Sequence, residues 1–441
     1  MNAHRGYTLL ETLIALTIVG IFFTVIVIIL RQIIDNLGHA RVRTTALSLA
    51  QSKMEIIRNL PYDEVGTQGG IPQGPIQPIE EIIINSISFT VTTSIIYIDD
   101  PYDGLTSTDL INTDYKRVRV EISWEGAFPS RSPLTLVTTI VPKGIESVVG
   151  GGTITIQAFN SVGEPVSNAS VTITNQTVNP AINMSTLTDH TGIVILPGAP
   201  ACNECYQITV TKPNFSTDRT YGTQEVVNPI SPHATVLEGQ LTHVSFAIDE
   251  KSSVTVKSYG SRETGYPPVA NVFFTLRGGK IIGYDTQDEP VYKYVYTTNT
   301  GGGSVSIPDL EWDTYELDFT NSSHNLAGSN PIVPLAVIPK SSPVISIVAV
   351  PKTTHSVLIA TINPQQQLLA SVSAELTNTA LQYSNQKTTG ATGSADFGQV
   401  FFGGLTETTY KLTLDLSGYQ ETTSSLSVSG PVQQTFILNP Q

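Results

Sequence analysis

The sequence predicts a mainly β protein that opens with a long N-terminal α-helix, followed by a small α+β head and three Greek-key β-sandwich domains. Three observations carry this. An apolar run from Tyr7 to Leu30 passes into an amphipathic one that Pro61 stops. Beyond it, short runs rich in Thr, Val and Ile alternate with turns bearing Gly and Pro. From Thr153 onward one series of strand phrases comes round three times. Its period is about 100 residues, the size of one sandwich rather than one solenoid turn.

Glu11 is the one ionisable residue between Tyr7 and Leu30, and the next charge is Arg31. At about 1.5 Å per residue, a helix over this run spans the ~30 Å hydrocarbon core of a bilayer. A carboxylate near one end of such a helix is costly unless something pairs with it. A cut after Gly6 leaves Glu11 close to a new α-amino group, a cation of the right sign in the same chain or a neighbouring one. An ordinary secretory signal has a shorter apolar region and then a small-residue cleavage site. Here the run begins almost at once and no such site follows. A plain membrane anchor has no reason to place Gly before an aromatic residue and Glu at that offset.

The helix continues past the apolar run. Leu37, Ala40, Thr44, Leu47, Ala50, Met54 and Ile57 recur at helical steps and predict one apolar stripe. Arg41, Arg43, Gln51, Lys53 and Arg58 lie mostly off it. Such a stripe packs on a β head of the same chain or on neighbouring helices.

Arg5-Gly6 followed by Tyr7-Thr8-Leu9-Leu10-Glu11 and Thr12-Leu13-Ile14-Ala15-Leu16 resembles the class III signal of type IV prepilins and pseudopilins. The resemblance implies cleavage after Gly6 by a prepilin peptidase, methylation of the new terminus at Tyr7, and Glu11 as the filament-assembly carboxylate. Gly20 also falls where many pilins have Gly. Tyr7 stands in place of the usual Phe, and no Pro occurs between Tyr7 and Leu60, so the helix kink of many major pilins is not expected. The phrase from Ala46 to Tyr62 is similar to the helix end of the minor pilins grouped as PilV-like.

The chain has 441 residues, room for about three or four domains. Net charge is −14 with a charged fraction of 14%, which argues against a nucleic-acid-binding surface of clustered Lys and Arg. An acidic, Thr-rich chain reads as an extracellular β protein.

After a Gly/Pro/Gln-rich loop from Gly66 to Pro78, strand-like runs cover Glu81 to Ile98, Tyr115 to Trp124 and Leu134 to Val141. They make a head of three or four strands on the helix. Between two of the runs lie Asp99, Asp100, Asp103, Asp109 and Asp114, which could supply oxygens to calcium. The Gly and terminal Glu of an EF-hand loop are absent, and Asp-Pro and Asp-Gly also mark ordinary turns. No other cofactor is expected. The phrase Asp114-Tyr115-Lys116 also resembles one that opens a strand in PilV-like heads, which implies a structural role for Asp114.

Val148 to Gly152 is a glycine-rich seam, a natural linker. Each unit beyond it opens with a strand (Thr153–Phe159, Ser253–Tyr259, His355–Ile362) and later has a Thr/Gly turn (Thr188–Gly192, Thr298–Gly302, Thr389–Gly393). An aromatic-led strand follows (Tyr206–Val210, Tyr315–Phe319, Tyr410–Leu414), and an apolar strand closes the unit (Val244–Ile248, Val344–Val350, Thr435–Leu438). The order resembles the carboxypeptidase regulatory-like (transthyretin-like) domain, best in the first unit. That resemblance implies spacing, stalk or ligand-contact roles and no catalytic residues.

Cys202 and Cys205 are the two cysteines, in what reads as a loop before the first aromatic-led strand. Outside the membrane a local disulfide is expected. Zinc would need two more ligands, and His190, His233 and His243 stand at no metal-ligand spacing. No Gly-x-Ser-x-Gly, HExxH or phosphate loop occurs, so no enzyme is predicted. An insertion in the second unit carries Tyr284, Tyr292, Tyr294 and Tyr296. On a single strand the last three would share a face, as a ligand-contact stripe, or as the lining of a core or a hairpin.

The expected organisation is a leader over 1–6, a helix over 7–60 (membrane-spanning 7–30, amphipathic 31–60) and a head over 61–147. Sandwiches are expected over 148–250, 251–350 and 351–441. The expected partners are the prepilin peptidase, other pilin subunits with their assembly machinery, the inner membrane through Tyr7–Leu30, and an unidentified surface ligand. A secretion pseudopilin and a membrane-anchored binding protein that never polymerises remain open alternatives.

Overall fold

The computed structural model describes residues 9–98, 114–126, 128–130, 132–142 and 150–441. Helix α1 runs unbroken over Leu9–Arg58, about 75 Å at the usual rise. With no Pro inside it, its hydroxyls turn inward on the helix: Thr17 donates to the Leu13 carbonyl and Thr24 to that of Gly20, each at 2.8 Å. Pro61 cannot continue the ladder.

Four antiparallel strands, β1 (Ile79–Ile84), β2 (Ile87–Ile98), β3 (Tyr115–Trp124) and β4 (Leu134–Ile140), form a meander in that order. The predicted single run Glu81–Ile98 is in fact two strands. Asn85 and Ser86 both take positive φ, +52° and +64°, and close a two-residue hairpin. Asn tolerates that backbone, which is the signal the strand reading overlooked.

The sheet packs on the C-terminal half of α1. Val42, Ala46, Ala50, Met54 and Ile57 are buried against Phe89, Val91, Ile95, Val118, Val120 and Ile122. The predicted stripe holds from Ala50 to Ile57 and fails before it, since Leu37 and Leu47 are exposed. The sheet selects the rows at Val42 and Ala46, where small or short side chains let strand and helix approach. Near the top of the head the Phe128 ring covers Gly38, where a Cβ would come within 2.4 Å of it.

The three repeats share one architecture. In each, the opening strand pairs in parallel with the closing strand: Gly152–Phe159 with Leu241–Ala247, Ser252–Tyr259 with Val344–Pro351, and Ser356–Ile362 with Pro431–Ile437. A second sheet faces this one, and the core lies between them. Each aromatic-led strand buries its tyrosine completely. Its hydroxyl donates to a carbonyl a few residues upstream: Tyr206 to Pro200, Tyr315 to Glu311, Tyr410 to Thr406. A buried ring thus keeps its one polar atom satisfied.

A buried threonine also recurs. Thr188, Thr300 and Thr389 donate to the carbonyls of Val166, Val269 and Leu369 and accept from the N–H groups of Ala169, Val272 and Val372. In the phrase Thr298–Gly302 the equivalent residue is therefore Thr300.

Candidate functional site

The outward surface of α1 is the candidate site. From Leu16 through Leu37 the large apolar side chains of the described residues are exposed, among them Phe22 and Phe23 at 66%. The span from Leu16 has a mean hydropathy of 2.4 in its most apolar window, with none of that window buried. A surface of this kind is stable only in lipid or against other helices. Glu11 lies on the same helix. Gly6 and Tyr7 lie outside the described residues.

Of the five candidate calcium ligands, Asp99, Asp100, Asp103 and Asp109 lie outside the described residues. Asp114 is buried where β3 begins, and its N–H donates to the Ile98 carbonyl at 3.2 Å. Among the described residues no three His, Cys, Asp or Glu side chains converge as a metal site.

Cys202 and Cys205 are joined by a disulfide, within the strand Cys202–Thr211 rather than in a loop before it. Val236 pairs with Cys202 and Ala234 with Tyr206, and the register shift between them makes room for the extra residues. His233 Nδ1 lies 2.9 Å from Thr220 Oγ1 and His243 Nε2 lies 3.1 Å from Ser245 Oγ.

The tyrosine stripe does not form. Tyr292 and Tyr296 fall in different strands. Tyr294 packs edge-on against the core Tyr315 at 5.6 Å, and the Arg277 guanidinium lies 4.2 Å from the Tyr292 ring centre. The insertion is instead a joint. Its hairpin, Ile281–Tyr284 with Pro290–Tyr292, adds to Asn228–Pro229 of the first sandwich. The Ile230 N–H donates to the Ile282 carbonyl at 2.9 Å. Lys293 reaches Glu311 at 2.9 Å in its own sandwich and Asp218 at 3.4 Å in the first. Gly283 permits the approach, because a Cβ there would sit 2.4 Å from the Asn228 carbonyl oxygen. Replacing Gly283 with Val is expected to destabilise this joint by about 2 kcal/mol. Limited proteolysis checks it, as new cleavage between the first and second sandwiches.

The second joint is more polar. Arg262 donates to Asp396 Oδ2 from Nη2 at 2.6 Å and from Nε at 3.0 Å, and to the Thr388 carbonyl at 2.6 Å. Tyr266 donates to Asp396 Oδ1 at 2.6 Å. Gln399 Nε2 donates to the Ser329 carbonyl at 2.6 Å. The positive φ of Gly328, +154°, brings its backbone onto Asp396, where a Cβ would come within 2.5 Å. Sequence gives no signal for these pairs, whose members stand 68 to 134 residues apart.

The head has its own joint with the first sandwich, where Ile71 and Tyr97 enter that sandwich's core and the Asn183 N–H donates to the Gly69 carbonyl at 2.7 Å. Beside it Lys116 is 1% exposed, donates to the Tyr62 carbonyl at 2.7 Å, and lies 4.5 Å from the Tyr62 ring centre. Burial lowers its pKa to about 8, partly opposed by the Asp63 carboxylate. Between that value and the ordinary 10.5, the unfolded chain holds a proton that the folded chain has lost. Stability of the head therefore rises with pH across this window, by roughly 3 kcal/mol. Above pH ~10 the buried Tyr97 of the head, whose pKa burial raises, opposes it, since the folded state then keeps a proton the unfolded chain gives up. Lys116→Met should abolish the rise, measured as the midpoint of denaturant unfolding at pH 7.5 and 9.5.

Residues 1–27 match the family described as the prokaryotic N-terminal methylation motif. No curated protein is similar enough to this chain to match. Among solved structures, the Bacillus anthracis TIE protein is similar at 12% identity over 83% of this chain and 74% of its own, with a TM-score of 0.18. The shaft pilin SpaA from Lactobacillus rhamnosus GG is similar at 13% over 43% and 98%, with a TM-score of 0.16. GBS52, the minor pilin of Streptococcus agalactiae, is similar at 14% over 43% and 96%, with a TM-score of 0.18. The first 27 residues thus carry a prokaryotic N-terminal methylation motif, and it runs into a helix long and apolar enough to cross a membrane.

Proposed function

We propose that this chain is a minor, PilV-like subunit of a type IV pilus or related filament, with its bulk outside the inner membrane. The prepilin peptidase removes Met1–Gly6 and Tyr7 is methylated. The helix leaves lipid when other pilin helices replace it, with Glu11 matched to a terminal amine. The head joins the filament, and the sandwiches, read as carboxypeptidase regulatory-like modules, stand outward. The observation that carries this reading is the methylation-motif match on a helix whose described apolar surface is exposed until the head begins. The joints between sandwiches support a stalk, and adhesion stays beside it as a role for the outward sandwiches. The buried tyrosines and threonines serve packing, which supports a structural rather than an enzymatic role.

Intact mass of the mature chain tests it, from membranes and from sheared surface filaments. Loss of Met1–Gly6 with one added methyl group, in the sheared fraction, is expected. An uncut chain held only in the membrane would leave the non-polymerising anchored protein standing. A processed chain absent from the sheared fraction would favour the secretion pseudopilin.

A further inference from the structure

The three closing strands differ in what lies on their far side. In the second sandwich, His324–Asn330 pairs along Val344–Pro351 and covers it. In the first, the Asp218 carboxylate takes the Ala247 N–H at 3.0 Å. In the third, Pro431–Ile437 is the outermost strand of its sheet. Pro431, Gln433, Gln434, Thr435 and Ile437 are exposed, and no charged side chain occurs from Thr422 to Gln441. Charges on edge strands normally prevent edge-to-edge pairing, and this strand carries none of its own; Arg277, Glu316 and Asp318 of the second sandwich line the cavity beside Gln433.

The ladder fixes which main-chain groups are free. Gly430 accepts from the Ser356 N–H, and the Leu438 N–H donates to Ile362, so the even-numbered residues turn their peptide groups toward the opening strand. In a parallel pair alternate residues point opposite ways. Pro431, Gln433, Thr435 and Ile437 therefore turn theirs outward.

The order Pro431-Val432-Gln433-Gln434-Thr435-Phe436-Ile437 is symmetric in polarity about Gln434. In an antiparallel pair of two such strands centred there, Val432 meets Phe436 and Pro431 meets Ile437. Gln433 meets Thr435, and Gln434 meets its own copy. The outward N–H groups of Gln433, Thr435 and Ile437 then reach the carbonyls of Thr435, Gln433 and Pro431 of the second copy. Pro431, which has no N–H, leaves no donor stranded. A two-residue slip places Val432 opposite Gln434 or Gln434 opposite Phe436.

We propose that Pro431–Ile437 pairs antiparallel with the same strand of a second copy of this chain, about a two-fold axis at Gln434. The two closing sheets then run on as one, and Val432 and Phe436 extend each core into the other. This pairing does not depend on assembly through the helix.

The test uses the full-length chain in detergent. Cys202 and Cys205 are already bonded, so a cysteine placed at Gln434 is the free thiol. Across a non-hydrogen-bonded pair its Cβ atoms lie about 4.5–5.5 Å apart, within reach of a disulfide bond. Mild oxidation should give Gln434→Cys a covalent dimer in yield at least about tenfold above Ser425→Cys, an exposed position on the edge of the facing sheet. Adding Thr435→Pro removes an outward N–H without touching the parallel ladder, as edge strands tolerate. It should abolish the cross-link while the thermal unfolding profile stays unchanged. Equal cross-linking at Gln434 and Ser425, none at Gln434, or a cross-link that survives Thr435→Pro with the fold intact would each overturn the pairing.

Discussion

Glu11→Ala is expected to leave membrane insertion intact and to abolish incorporation into filaments. Insertion depends on the apolar run, which Ala lengthens, and removing a carboxylate from that run makes it more favourable in lipid by roughly 3 kcal/mol. Assembly depends on the converse. A helix leaves lipid for other helices with little hydrophobic gain, because lipid tails are as apolar as Leu. In the proposed assembly, what then fixes register is a charge pair in a low dielectric, and one such pair is strong enough to decide between registers. The chain should accumulate in the membrane at its normal level and fall below about 10% of normal in the sheared fraction, because a loss of 1.4 kcal/mol is already tenfold. Immunoblots of the two fractions read the outcome. Normal incorporation of the variant would remove Glu11 from the assembly reading, and a fall in membrane level would show that the substitution acts on insertion.

Arg262→Ala should uncouple the second and third sandwiches. The variant leaves Asp396, whose side chain is 5% exposed, without the guanidinium that donates both bonds to Oδ2, while Tyr266 and Ser394 still donate to Oδ1. Breaking a buried pair by removing one partner costs about 3–5 kcal/mol, and the 31% exposure of the Arg262 side chain reduces this to roughly 2–3 kcal/mol. The cost should fall on the joint rather than on either core, since the clusters around Val254 and Val357 stay filled. Hydrogen exchange should therefore quicken at Ser329 and Gln399 while the amides of Tyr315 and Tyr410 remain protected. The double variant Arg262→Ala with Asp396→Ala should recover part of the loss, because it removes the stranded carboxylate. Uniform loss of protection across both sandwiches would show instead that Arg262 supports a core.

The N-terminal element, the head and the repeats were legible because their signals are local. The helix followed from an unbroken apolar run without Pro and from the stop at Pro61. The sandwich strands followed from period-two alternation and turn residues, and the repeated Tyr and Thr phrases marked equivalent positions in each unit. The Asn85-Ser86 hairpin was missed because two positive-φ residues without Gly leave an apolar run looking continuous. The helix stripe was misplaced before Ala50 because sequence periodicity allows more than one row, and the sheet that lies against the helix chooses among them.

For the tyrosine insertion the sequence leaves contact stripe, core and hairpin open, because a hairpin that pairs with another domain looks, in sequence, like any exposed loop. What the sequence determined by itself was the kind of most elements and the methylation motif of the N-terminus, since short-range sterics and hydrophobic periodicity are written in neighbouring residues. Only the tertiary structure decided the joints. Arg262 with Asp396, Gly283 with Asn228 and Lys116 with the Tyr62 carbonyl meet across long stretches of chain, and packing brings them together. The free edge at Pro431–Ile437 is likewise a property of which strand lies beside which, and no local pattern records it.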